Sequence, residues 1–269
     1  MRSSRVIAYI LAIGLNIICL VAQGSAQIVA RGANYSAREI LQRYAEAWLG
    51  RKELELPRNV VLAISVDGQQ GGDFAIELSN DPVGIVREGK PTRYDIRYQT
   101  NIDLLRLLDK AQMSALTAMA QARGSDPIPL NPQFGPDFEK LPDASLLFRR
   151  LSFHFWTRGW PEMVPFGELA ARQVHGGNAA VFVYDRQIRS AWYQLKAGMH
   201  INADPKDQKN NFPQLVIVTK GSVNARLGGR QLVLSEGQAV LIPPGMTHEF
   251  WADVGQYGEF VFIAYGEGS

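Results

Sequence analysis

Apolar positions change period along this chain, and each change marks a different element. Ile40, Leu41, Tyr44, Ala45 and Trp48 recur at helical spacing behind Ser36-Ala37-Arg38-Glu39, a capping box, and Gly50 is a stop. The period then falls to two. Leu62, Ile64 and Val66 alternate with Ala63 and Ser65, and Phe74, Ile76 and Leu78 alternate with Asp73, Ala75 and Glu77. Asp67-Gly68 and Gly71-Gly72 bracket the hairpin loop between these two strands. A weaker strand at 83–87 and a fourth carrying Tyr94, Ile96 and Tyr98 complete an antiparallel meander with one apolar face. Helical spacing returns twice. Ile102, Leu104, Leu105 and Leu108 follow a cap at Thr100 or Asn101, and a second helix runs from about Met113 to Ala122. The five prolines between Asp126 and Asp143 predict irregular chain.

Residues 146–166 are dense in aromatics, with Phe148, Phe153, Phe155, Trp156 and Trp160 interleaved with Arg149, Arg150 and Arg158. Packing between two domains accounts for such a run better than a membrane-surface helix, because arginine stems lie along apolar surface. From Gly167 onward the pattern is all β. Candidate strands are Ala179–Asp185, Arg189–Leu195, Gln214–Lys220, Ser222–Leu227, Gln231–Leu234, Ala239–Ile242, His248–Ala252 and Glu259–Ala264. Glycine turns at Gly198, Gly228-Gly229, Gly237 and Gly255 separate them, as a sandwich or barrel requires.

Composition narrows the class. The chain has 269 residues, 46% hydrophobic and 20% charged, which suits a folded protein of one or two domains. Its start reads as a leader. Arg2 and Arg5 precede an apolar run from Val6 to Ala22, and Gly24-Ser25-Ala26 supplies the small residues of a cleavage site. The expectation is a signal peptide over 1–26, cleavage near Ala26, and a periplasmic or secreted product. An uncleaved leader is the one route to a membrane. Cys19, the sole cysteine, falls inside the leader, so the mature chain has no thiol for a disulfide or a metal. The leader also holds the whole net charge of +2, and the remainder carries 26 basic and 26 acidic residues. That balance argues against nucleic acid as a partner.

Chemistry concentrates near the C-terminus. Gly237 is followed by five residues and then Pro243-Pro244-Gly245-Met246-Thr247-His248. Gln214 is followed by six residues and Gly221. Over roughly 165–269 these spacings resemble the cupin superfamily, whose second motif is complete here but for its trailing Asn, replaced by Ala252. The resemblance implies a jelly-roll barrel with His248 pointing inward. It also implies a metal held by two histidines, a glutamate and His248. This chain departs there: the histidine positions fall on Gln208 and Asn210, or on Asp207 and Lys209, and the glutamate is Gln214. One expected ligand remains where a stable site needs three or more donors, so no metal and no cofactor is expected. If a metal does bind, His200 swinging in beside His248 is the route, with Asp204 or Asp207 adding a carboxylate. Residues 36–130 resemble the sterol carrier protein family in their order of helix, meander and short helices. That resemblance implies an apolar tunnel.

The chain thus reads as an α+β domain (27–145) with helices on an antiparallel meander, an aromatic connector (146–166) and a cupin barrel (167–269). Its expected role is non-catalytic binding of an apolar or amphipathic small molecule. His248, Gln214 and His200 are the candidate polar residues. Trp192, Tyr193 and Trp251 are the candidate aromatic walls, the inward strand face deciding among them. His175, beside Gly176-Gly177, is expected in a surface loop. Two alternatives stand: a metal-dependent oxygenase- or isomerase-like enzyme using His200 and His248, and a structural role with homodimers formed through the barrel.

Overall fold

The capping box forms as the sequence predicts. Ser36 donates from its backbone N–H and from Oγ to Glu39 Oε2, both at 2.8 Å, and starts the helix Ala37–Leu49. A computed structural model describes residues 35–49, 56–79, 86–157 and 162–269 of the chain, so the leader lies outside the described residues. The helix buries Ile40, Leu41, Tyr44 and Ala45 against a five-stranded sheet, with strands β1 (Val60–Asp67), β2 (Gly72–Leu78), β3 (Val86–Glu88), β4 (Ile96–Asn101) and β5 (Asn131–Phe134).

The sheet order is β3-β2-β1-β4-β5. β1, β2 and β3 are the antiparallel meander, but β4 pairs parallel to β1. The expectation of an antiparallel meander throughout is therefore corrected. Alternation fixes which face of a strand is buried, not which way the strand runs. Register lines up Ile76, Leu62 and Ile96 in one buried row and Phe74, Ile64 and Tyr98 in the next. The proline-rich stretch is not wholly irregular either. β5 contains Pro132 opposite Tyr98, and an edge strand tolerates a residue without a donor.

Asn101 caps the helix Ile102–Asp109, its side chain accepting from the Leu104 N–H at 2.9 Å. Ser114 caps a single turn, Ala115–Met119, shorter than its apolar spacing predicts because Ala120 is already extended. The aromatic segment becomes the helix Ala144–Arg150, which opens into a π-helical turn at Leu151–Phe155. That turn drives Phe155 and Trp156 into the core, with Trp156 5.7 Å from Tyr44 and 5.1 Å from Tyr98. No helix among the described residues is long and apolar enough to cross a membrane.

The C-terminal region is a β-barrel. Its strands are β6 (Arg172–Val174), β7 (Gly177–Asp185), β8 (Ile188–Lys196), β9 (His200–Ile201), β10 (Gln214–Leu227), β11 (Arg230–Ser235), β12 (Ala239–Ile242), β13 (His248–Trp251) and β14 (Tyr257–Tyr265). The order is β6-β7-β8-β14-β10-β13-β9, with β11 and β12 also on β10. The two strands expected over 214–227 are one. Its first half pairs β12 and β14, and its second half pairs β11 and β13. Gly221, at φ +66°, is the corner between them, and a Cβ there would sit 2.1 Å from the Tyr257 carbonyl oxygen. Val216, Val218, Val223, Ala225, Phe250 and Phe260 form the barrel core.

From Ser36 onward the chain is one compact unit. The short turn Ala115–Met119 packs on β7: Thr117 Oγ1 accepts from the Val181 N–H at 2.8 Å, and Arg172 Nε donates to the Thr117 carbonyl at 2.7 Å. Val181 lies at a β-bulge, where a ladder donor is freed for such a bond.

Candidate functional site

Strand parity decides which candidate residues meet. On β13, His248 pairs with Leu227 and Phe250 with Ala225, so His248 shares the inward face. Glu249 and Trp251 alternate outward, and His200 pairs with Trp251 on that outer face. His200 Nε2 lies 2.8 Å from Glu249 Oε2, and Arg226 Nη1 donates to Glu249 Oε1 at 2.5 Å. His200 is thus tied outside the barrel and does not join His248. This corrects the expectation that it swings inward. On β8, Tyr193 faces inward and stacks on Phe260 at 5.5 Å. Trp192 faces the other way and donates from Nε1 to Glu259 Oε2 at 3.2 Å. Of the three candidate aromatic walls, Tyr193 alone reaches the interior.

A cavity of about 690 Å3 opens there. The barrel contributes Gln214, His248, Phe250, Phe260, Phe262 and Tyr193. Leu116, Met119, Phe134 and Phe148 close it from the α+β side. Its volume suits a small organic molecule, and its walls mix apolar side chains with many polar and charged ones.

Those polar groups form a connected floor. His248 is 3% exposed, and its Nδ1 lies 3.1 Å from the Met246 carbonyl oxygen. A carbonyl only accepts, so Nδ1 carries the proton and Nε2 bears a lone pair toward the cavity. Asn210 Nδ2 approaches that nitrogen at 3.4 Å. Burial pushes the His248 imidazole below its usual range; the bond to Met246 opposes this and nearby His175 adds to it. Asn202, 4% exposed, donates from Nδ2 to the His248 carbonyl at 3.2 Å, while its Oδ1 accepts from His175 Nε2.

His175 was not expected here. It is the first residue of a two-residue hairpin turn with Gly176, both at positive φ. Its N–H donates to Asp126 Oδ2 at 3.2 Å, and its ring turns into the cavity wall instead of solvent. Burial lowers its imidazole too, against the bond to Asn202. The His-Gly-Gly sequence signals the turn but not the ring's direction. Asp126 also accepts from the Ala122 and Arg123 N–H groups, and these bonds outweigh burial and hold its carboxyl below the usual range.

The loop between β9 and β10 is well restrained. Asp204 caps a short 3-10 turn at Pro205–Asp207. The His248 N–H donates to the Gln208 carbonyl at 3.0 Å, and the Gly245 N–H to the Asn210 carbonyl at 2.7 Å. Asp207 pairs with Arg123 at 3.0 Å.

This donor set does not fit a transition metal. Asp207 is occupied by Arg123, Gln208 Nε2 donates to the Asn202 carbonyl at 3.0 Å, and Gln214 offers a neutral amide. Among the described residues no group of three or more His, Cys, Asp or Glu is placed to hold a metal ion. Gln214 itself is 1% exposed, and its Oε1 has no hydrogen-bond partner among the described residues.

Known proteins add the following. Residues 205–269 match the family described as AraC-like ligand binding domain, so the C-terminal region carries a cupin-type ligand-binding domain. A curated D-lyxose/D-mannose isomerase of Escherichia coli O157:H7 is 37% identical over 54 residues, 20% of this chain. The chain spans 23% of that isomerase's length. An RmlC-like cupin from Shewanella frigidimarina NCIMB 400 aligns over 35% of this chain and 80% of its own, at 14% identity and TM-score 0.31. A cupin 2 conserved barrel domain protein from Rhodopseudomonas palustris aligns over 34% and 61%, at 16% identity and TM-score 0.30. Both scores lie below 0.5, so the barrel assignment rests on strand register and on the family match.

Proposed function

We propose that this protein is an exported, non-catalytic binder of a small amphipathic molecule of lipid-like character. The observation that carries the reading is the cavity of about 690 Å3, whose wall sets aromatic and aliphatic side chains beside polar ones, His248, Asn210 and Gln214 among them. A neutral buried imidazole beside neutral amides is a hydrogen-bonding floor. The other imidazole in the wall, His175, is bound through Nε2 to Asn202. The sterol-carrier resemblance of residues 36–130 supports an apolar ligand, since Leu116, Met119, Phe134 and Phe148 form the far wall. The leader motif at 1–26 supports export, and the division into 27–145, 146–166 and 167–269 belongs to the same reading. So does pairing of two copies through the barrel.

The test is an organic extract of the purified protein, analysed by mass spectrometry beside elemental analysis. The reading expects a stoichiometric organic molecule and no stoichiometric metal. An empty extract together with near-stoichiometric iron, manganese, nickel or zinc overturns it.

A second reading is favoured by one observation, the local likeness to a D-lyxose/D-mannose isomerase. It makes the barrel a sugar-isomerising enzyme. A metal in that enzyme must be held without His200, which is bound to Glu249 on the outer face. Loss of both metal and aldose–ketose conversion in His248→Ala would support it.

A further inference from the structure

Arg189 is a half-buried cation in the cavity wall that no acid among the described residues neutralises. Arg189, on β8, pairs in register with Ala264 of β14, and Ala264 pairs with Gln214 of β10. On the other side Arg189 pairs with Tyr184 of β7. Cross-strand partners share a face, so Gln214, Ala264, Arg189 and Tyr184 make one row across the sheet. Strands lie about 4.8 Å apart, which sets the Gln214 and Arg189 backbones about 10 Å apart with only the methyl of Ala264 between them. Both Gln214 and Arg189 line the cavity.

The guanidinium rests between two rings, with its central carbon 4.7 Å from the Tyr184 centroid and 5.5 Å from that of Phe212. These contacts hold its position but satisfy none of its N–H donors. Arg189 Nε is buried with no hydrogen-bond partner, and no acid among the described residues pairs with the side chain. Asp185, on the same hairpin, is taken by Arg149 at 3.4 Å and by the Arg186 N–H. Arg189 is only half-buried, and a bound anion would supply the partner that its Nε lacks. Across Ala264 the buried Gln214 Oε1 is likewise without a hydrogen-bond partner.

We infer that the cavity selects a monocarboxylate with an apolar body, its carboxylate on Arg189 and an adjacent polar group on Gln214. This rests on the binding reading above and narrows it. The guanidinium fork matches a carboxylate in shape. Lys206 and Lys209 also line the cavity but are exposed. The apolar body lies toward Leu116, Met119 and Phe148, which carry no charge.

Isothermal titration calorimetry on the delipidated full chain separates the outcomes, with decanoate and decanol as probes. A charge-assisted bond to Arg189 should make decanoate bind about 10- to 100-fold tighter than decanol. Arg189→Gln should abolish that preference, since the ion pair with decanoate is lost. Equal affinity of the two probes for the wild-type chain overturns the carboxylate inference and leaves the binding reading intact. This comparison needs no variant to fold. Decanoate affinity unchanged in a folded Arg189→Gln protein overturns the inference as well. If neither probe binds, the amphipathic-ligand reading itself is overturned.

Discussion

At the scale of single residues, the cavity floor is built from groups kept neutral by burial. The His175 and His248 imidazoles both lie below their ordinary value of 6.5. The folded chain therefore binds fewer protons than the unfolded chain as the pH falls through this range. The stability they contribute is complete above about pH 6.5 and is lost as acid takes the pH down through their lowered folded values. The urea midpoint should fall between pH 7.5 and pH 5, and His248→Gln should flatten that dependence. A pH profile identical in the variant would refute the assignment. Gln214 points the other way. Its Oε1 is buried without a partner, so Gln214→Leu should stabilise the ligand-free protein by about 1 kcal/mol while weakening ligand binding. A lower melting temperature would indicate that a bound group already satisfies the amide. Sequence spacing brought His248 and Gln214 to notice, because their motif glycines stand at fixed distances. It did not place His175 at the site or single out Asn202 and Arg189, because the fold of the barrel brings them to the cavity.

At the scale of elements, parity and corners decided what spacing left open. Trp192, Tyr193 and Trp251 are equally apolar in the sequence, yet one ladder register sends Tyr193 inward and the other two outward. His200 is lost to the outer face by the same alternation. Gly221 lets β10 cross between two sheets, so Gly221→Ala should cost about 2–4 kcal/mol through the clash with the Tyr257 carbonyl and the left-handed backbone. Chemical denaturation measures this. The turn Ala115–Met119 is held to the bulge of β7 by Thr117 Oγ1, with a longer bond from the Ser114 cap to the Val181 carbonyl. Thr117→Val leaves the Val181 N–H buried without a partner and should cost about 1–3 kcal/mol. Hydrogen exchange at the Val181 amide should accelerate in that variant; unaltered exchange would mean that the turn docks by packing alone.

At the scale of the whole molecule, the site belongs to both halves of the chain. Periodicity read each half correctly as α+β and all-β, because burial on one face is written locally. It could not read the parallel pairing of β1 with β4, nor the cavity, because both depend on residues more than 30 positions apart. Asp126 fastening the His175 turn and Arg123 holding Asp207 are the polar ties that fix the α+β side against the barrel mouth. The central claim is a single cavity shared by the two sides, and methyl NMR tests it most directly. During a decanoate titration the Met119 ε-methyl and the Ile201 δ-methyl, on opposite walls, should shift along one common binding curve, while exposed Ile188 stays still. Shifts confined to one wall, or no shifts at all, would contradict the account.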